Sequence, residues 1–474
     1  GLLLVPMILP PFVGAIGFQR MLGTTGVLNA LLGLGPVDWL GRARIGGVIL
    51  LQGFGLYPIL YLNVSAALAN VDPAMEEAAE NLGCSGFRKF FRVTFPLILP
   101  GFFAGAAIVF IWSFTELGTP LMLNVTDCVP VQVYDALKEV GSNPMPYALV
   151  FVMLMASLAL YAVARGIFGR KGYAMQGKAT TGAVFRTVRG WHALWVALPF
   201  VFVILLALSP HIGVIFTSLA EPGSWYGTVL PGRWTAGNYL DALSHEMTLR
   251  GIRNSLLYAS LAVGLNAVLG IGIAWISVRS SVPGRGALDT LAMLPLAVPG
   301  LVMAFGYLAI SARLVHLQGV KESPFWMALL DVRTNPTFFL VIAYSVRRLP
   351  YMVRSAVAGL QQSSVTLEEA AANLGASPAR SLRRITLPLI SANLLAGGLL
   401  AFAFSMLEVS DSLMLAQRMD YYPITKTIYE LFQLIGTGPF LASALGVWAM
   451  AFLAVTILGC SVLMGRRMGA LFRM

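Results

Sequence analysis

The sequence predicts an all-α polytopic membrane protein made of two helical bundles that repeat each other in parallel. Three observations predict it. The 474 residues are 57% hydrophobic and only 11% charged, with a mean hydropathy of +0.77, more than any water-soluble core needs. Apolar windows long enough to cross about 30 Å of hydrocarbon recur along the chain. One charged, helix-forming stretch is used twice at a constant offset.

The same composition excludes other classes. A net charge of +11 could suit nucleic acid, but the Lys and Arg residues cluster in short segments between apolar spans, the pattern of a lipid-embedded chain with a positive inner side. No nucleic-acid partner is therefore expected, and the lipid bilayer is. Cys84, Cys128 and Cys460 lack metal-ligand spacing, as do His192, His211, His245 and His316, so neither a disulfide framework, a metal site nor a cofactor is expected. Nothing resembles a Ser-His-Asp triad or a catalytic carboxylate pair, which argues against a membrane enzyme.

In chain order, apolar windows fall at roughly 2–19, 46–69, 97–123 and 147–168, then at roughly 191–217, 254–277, 288–312, 336–360, 390–415 and 444–465. These ten expected spans divide the chain into a first half (1–168), a basic Gly-rich linker (169–190) and a second half (191–474). The linker, the turn Arg279 to Arg285, the stretch around Arg380, Arg383 and Arg384 and the tail with Arg466, Arg467 and Arg473 share one side if the second half enters from the cytoplasm. Trp225, Trp234, Trp326, Tyr421 and Tyr422 then lie in outer loops, where interfacial aromatics are expected. Arg313, Lys321 and Arg333 run against the bias.

The repeated stretch reads Met75-Glu76-Glu77-Ala78-Ala79-Glu80-Asn81-Leu82-Gly83 and continues to Thr94-Phe95-Pro96-Leu97. Its second copy reads Leu367-Glu368-Glu369-Ala370-Ala371-Ala372-Asn373-Leu374-Gly375 and continues to Thr386-Leu387-Pro388-Leu389. Glu77 and Glu369 lie 292 positions apart, as do Pro96 and Pro388. Beyond it, Ser113 to Leu123 aligns with Ser405 to Leu415, and Val133-Tyr134 and Gly141 echo Ile428-Tyr429 and Gly436. Before it, Pro6 and Pro10 match Pro295 and Pro299 at an offset of 289. The first window thus corresponds to the third span of the second half, and two further spans are expected upstream of Gly1.

The composition of the stretch dictates a knuckle. Glu-Glu-Ala-Ala favours helix, Gly83 and Gly375 can take a left-handed C-cap, Ser85 and Ser377 stand where a new N-cap is useful, and Pro96 and Pro388 set the entry of the next span. The Ala pair leaves room for another surface to approach. Its charge places this elbow outside the lipid.

Glu-Ala-Ala, three residues, Gly and a later Leu-Pro is similar to the EAA loop of ABC importer permeases of the type I class. The two-in-one arrangement resembles the fused permeases of the ferric-iron and thiamine branch. The resemblance implies an alternating-access permease of a bacterial inner membrane, with the elbows and C-terminus cytoplasmic, driven by two separate ATP-binding subunits and fed by a periplasmic or extracellular substrate-binding protein. By position it implies that Glu76, Glu77, Ala78, Ala79, Gly83 and Pro96, with Glu368, Glu369, Ala370, Ala371, Gly375 and Pro388, couple to those subunits. Ferric iron is the cargo it favours, with thiamine as an alternative, while Arg347 and Arg348 inside an apolar span would also suit an anion such as a phosphonate. Leu382 departs from the pattern where the first copy has Phe90. Gly172 to Lys178 nearly spells a phosphate loop but lacks the following Ser or Thr, so ATP hydrolysis is expected on another chain.

Charged residues inside apolar spans cost several kcal/mol unless paired or wetted. Glu116 and Glu408 hold equivalent positions, Asp411 follows on the face of Glu408, and Arg347 and Arg348 precede the second elbow. Two readings stay open: interhelical salt bridges, or a substrate path between the halves. Gly101 and Gly105 are expected to permit close helix packing. An ion-coupled secondary transporter and a non-transporting scaffold are the rival functions.

Overall fold

The computed structural model describes residues 2–139, 143–168 and 190–464. The phosphate-loop-like stretch, the linker up to Arg189, Gly141 and the basic tail lie outside the described residues.

The first half begins with a short 3-10 segment, Leu2–Ile8, followed by α1 (Pro11–Leu22), α2 (Ile45–Ala69), α3 (Pro73–Asn81), α4 (Phe95–Thr115), α5 (Gly118–Met122), α6 (Val129–Asp135) and α7 (Met145–Phe168). The second half comprises α8 (Trp191–Leu219), α9 (Glu246–Arg279), α10 (Arg285–Met293), α11 (Gly300–Leu314), α12 (Thr337–Gln362), α13 (Val365–Asn373), α14 (Leu387–Met406), α15 (Ser410–Leu415), α16 (Ile424–Phe432) and α17 (Gly438–Met464). Among the described residues there is no strand, only an isolated bridge between Ala220 and Trp234.

The repeat is legible in element boundaries. α2 and α12 begin at Ile45 and Thr337, α3 and α13 at Pro73 and Val365, and α4 and α14 at Phe95 and Leu387, each pair at the same 292 offset.

Among the described residues six helices are long and apolar enough to cross a membrane, and one bent pair makes a seventh if its two arms are counted as one span. The other expected windows differ for physical reasons. The first is broken at Leu9-Pro10, where Pro10 has φ −57° and ψ 130° and cannot donate to a continuing helix. Its counterpart is broken at Pro299, with φ −57° and ψ 134°, and the two arms, Arg285–Leu296 and Gly300–Leu314, bend by 100°. α12 has 26 residues, but Arg347, Arg348 and Arg354 lower its hydropathy. The windows at 97–123 and 390–415 are also interrupted, after Thr115 and after Met406.

The halves interpenetrate. A Cβ on Gly17 of α1 would fall 2.0 Å from the carbonyl oxygen of Pro210, and one on Gly213 of α8 would fall 2.5 Å from that of Gly17, so the two backbones touch. Phe12, Val13, Ile16 and Phe18 consequently share a core with Val214, Ile428, Leu441 and Leu445. The opposite face of α8 leaves Trp195, Phe202 and Leu205 exposed, a surface suited to lipid. Gly101 and Gly105 bring α4 onto α2 as expected, with hypothetical Cβ atoms 2.4 Å from Ala67 and 3.0 Å from Asn63. Trp225 does not sit at an interface: it is buried against Val27, Ala220 and Phe440, its indole N–H donating to the Thr228 carbonyl at 3.1 Å.

Candidate functional site

Each elbow is built the same way. Asp72 accepts from the Ala74 N–H at 3.0 Å and Ser364 from the Thr366 N–H at 3.3 Å, capping α3 and α13. Gly83 and Gly375 end these helices at φ +77° and +81°, the left-handed region that costs an L side chain about 1–2 kcal/mol. Ser85 and Ser377 do hold N-cap positions, but neither side chain makes a capping bond. The next helix does not stop at the proline. It runs from Gly86 to Thr115, and from Pro378 to Met406, through one π turn closed by Phe95 N–H to the Phe90 carbonyl and Leu387 N–H to the Leu382 carbonyl. Pro96 and Pro388 follow directly, and the wider turn accommodates rings that would otherwise meet the carbonyl four residues back.

A threonine ties each first elbow helix to its span. Thr94 donates to Glu76 at 2.6 Å, and Thr386 donates to Glu368 at 3.1 Å. Glu76 and Glu368 are thus half-buried braces, while Ala79 and Ala371 face inward. Glu77, Ala78, Glu369 and Ala370 are exposed. So are Leu82 and Leu374, at 87% and 89%, two apolar side chains projecting at equivalent points.

The far ends of α4 and α14 carry the buried charges. α4 stops at Thr115, where Glu116 turns to extended backbone with φ −71° and ψ 126°, and the Glu116 carboxylate accepts from the Thr119 N–H at 2.8 Å and from the Gln52 amide at 3.4 Å. In the second half, Arg347 donates to Glu408 at 2.8 Å and lies 3.6 Å from Asp411, while Arg348 pairs with Glu408 and donates to the Phe404 carbonyl at 3.1 Å. Glu408 lies in the break between α14 and α15 and Asp411 in the first turn of α15, so they do not share one helical face, yet Arg347 reaches both.

Glu116, Arg347, Arg348 and Glu408 line a single cavity of about 220 Å³, together with Pro6, Pro10, Pro295 and Pro299. Asp411, fully buried, stands behind it. Many wall residues are repeat partners at the 292 offset: Gly55 with Arg347, Leu56 with Arg348, Ile59 with Tyr351, Trp112 with Phe404, Glu116 with Glu408.

The sequence matches the family described as binding-protein-dependent transport system inner membrane component over residues 1–172 and again over 266–467. The chain belongs to that family. Its two matches fall on the two copies of the elbow, so this inner membrane component carries the family's unit twice. A ferric transport system permease protein of Actinobacillus pleuropneumoniae is 27% identical over 430 residues, covering 86% of this chain and 57% of that protein. A protein of Haemophilus influenzae named for the same system is 28% identical over 430 residues, covering 86% of this chain and 62% of that one. The chain therefore spans about three-fifths of the length of these curated relatives. A sulfate transport system permease protein of Salmonella typhimurium is 31% identical over 179 residues, covering 38% of this chain and 62% of that protein.

Sequence reasoning missed several residues of this inner membrane component. Lys426, buried on α16, donates to the Tyr134 hydroxyl at 3.1 Å, pairs with Glu430 at 2.8 Å and lies 5.2–5.6 Å from the rings of Tyr134, Tyr422 and Tyr429. Tyr134 and Tyr429, recognised as repeat partners, meet edge to face at 6.3 Å. The signal for the lysine was available: it is the one cation of α16, three residues before the repeated Tyr and four before Glu430. Arg279, in the sequence a topological charge alone, braces the second elbow, donating to Glu368 at 3.3 Å and to the Leu360 carbonyl at 2.8 Å. In the first elbow Lys89 does that work from within the elbow, 2.6 Å from Glu80 and 3.9 Å from Glu76.

Proposed function

We propose that the chain is the membrane-spanning part of an ATP-driven, binding-protein-dependent importer of ferric iron, with each half ending its coupling path in one elbow on the cytoplasmic side. The duplicated elbow carries this reading. Glu77, Ala78 and Leu82, and their partners Glu369, Ala370 and Leu374, form two exposed mixed surfaces on short helices that Thr94 and Thr386 tie to the rods running from Gly86 and Pro378 to the cavity. A push on such a rod is transmitted to the far end because a helix is stiff along its axis.

In this reading two ATPase subunits, borne by other chains, seat on the elbows. A binding protein delivers cargo to the opposite side, and rocking of the halves exposes the cavity alternately. Residues 1–168 and 191–474 act as the two halves, joined by the linker 169–190. The names of the ferric relatives support the cargo. Arg347 and Arg348 in the cavity wall, with the likeness to a sulfate permease, favour an oxyanion as the second reading.

Purification with the neighbouring subunits tests the proposal. ATPase subunits are expected to co-purify, and Gly375→Pro is expected to abolish uptake. Absence of ATPase subunits together with unchanged uptake in Gly375→Pro would overturn it.

A further inference from the structure

We propose that the cavity is functionally one-sided: Glu116 is the side chain that contacts a polyvalent cation in transit, whereas its repeat partner Glu408 is a structural anchor. The proposal rests on the importer reading above and names which carboxylate serves it.

The asymmetry comes from the repeat itself. Glu116 and Glu408 lie 292 positions apart and face the same cavity. Glu408 is 4% exposed and bound by two guanidiniums, so its charge is cancelled and both oxygens are occupied. Residues Gly55 and Leu56 stand where the first half would need the matching arginines. Among the described residues the donors that Glu116 meets are neutral, and the Thr119 N–H and the Gln52 amide both bond its Oε2. Its Oε1 lies against Gly118, where a Cβ would be 3.0 Å away. Among the described residues no basic side chain comes within 4.0 Å of it.

A carboxylate taken from water without a counter-charge is costly, and a cation arriving with the cargo supplies the missing charge. The second half cannot compete for that cation, because its guanidiniums repel it. Among the described residues, no group of three or more His, Cys, Asp or Glu side chains is placed to hold a metal ion. A single carboxylate is what transit requires, since a full ligand shell would bind too tightly to release.

Gln52 makes a decisive test possible. It lies on α2, lines the same cavity and hydrogen-bonds Glu116. The double variant Gln52→Glu/Glu116→Gln therefore moves the carboxylate by one hydrogen bond and keeps the amide–acid pair. The complete transporter, with its ATPase subunits and iron-loaded binding protein, is reconstituted in liposomes and uptake of radiolabelled ferric iron is measured, with co-purification of the ATPase subunits reporting assembly. Glu116→Gln is expected to lower uptake at least tenfold, and the double variant to restore it to within about threefold of the parent. Glu116→Gln transporting at the parent rate overturns the proposal, as does an assembled double variant as inactive as the single one. If Glu116→Gln does not assemble, Glu116→Asp decides: it keeps the charge and is expected to transport iron, and an assembled but inactive Glu116→Asp overturns the proposal. Parent transporter that moves radiolabelled sulfate or molybdate instead of iron would refute the cargo reading, an outcome separate from the others.

Discussion

The charges at the cavity wall form a four-member network, and its residues do not act as independent pairs. Glu408 accepts from both arginines, and Arg347 also faces Asp411. Removing one partner of a buried pair leaves an uncompensated charge and typically costs about 3–5 kcal/mol. Arg348→Met is therefore expected to lower the thermal unfolding midpoint of the purified protein, with most of the loss recovered in Arg348→Met/Glu408→Met, as differential scanning fluorimetry would report. The charge swap Arg347→Glu/Glu408→Arg is expected to fail as a rescue. It would set an arginine beside Arg348 and a glutamate beside Asp411, so two like-charged contacts would replace two favourable ones. A swap that restored the midpoint would show that the two residues form an isolated pair. Lys426 presents a similar case: Lys426→Met removes the hydrogen bond to Tyr134 and the ion pair with Glu430, and is expected to destabilise the contact between α6 and α16 by about 2 kcal/mol, measurable in the same assay.

At the scale of elements, the elbow is held by tertiary bonds that a motif cannot display. Glu76 and Glu368 belong to the repeated stretch, but what they do depends on Thr94 and Thr386, eighteen residues further on. Thr386→Val deletes a hydrogen bond to a carboxylate, worth about 1.5–3 kcal/mol, and is expected to weaken coupling: more ATP hydrolysed per cargo molecule moved, read by paired hydrolysis and uptake assays. Arg279→Ala should affect only the second elbow, since Lys89 serves the first. The helix, Gly turn and proline of the elbow were legible in the sequence because each depends on local chemistry: Ala and Glu for helix, Gly for positive φ, Pro for the missing N–H. The continuous π-containing rod was not, because a proline ten residues beyond the start of a helix reads equally well as a stop. The breaks at Pro10 and Pro299 were visible as repeated prolines, yet the windows remained apolar on both sides, so hydropathy alone fused the arms.

For the whole molecule, the repeat was legible in the sequence, and the offset of 292 around the elbow recurs in helix boundaries and in much of the cavity wall, whose prolines keep the offset of 289. The sequence could not show how the halves interlock, because a backbone contact such as Gly17 against Gly213 involves residues with no side chain to mark it. Gly213→Leu is expected to drive α8 off α1 and to lower the yield of folded protein severalfold, measured by the monodisperse peak in detergent. The cavity places carboxylates of both halves at the ends of the two elbow rods, and in the proposed importer ATP hydrolysis on other chains moves those rods. Uptake is measured in proteoliposomes containing the assembled transporter, with ion gradients collapsed by ionophores. Cargo is expected to accumulate when ATP is supplied and to stop accumulating when ATP is withheld. Accumulation driven by an imposed ion gradient without ATP, and abolished by the ionophores, would show that the rods are not ATP-driven.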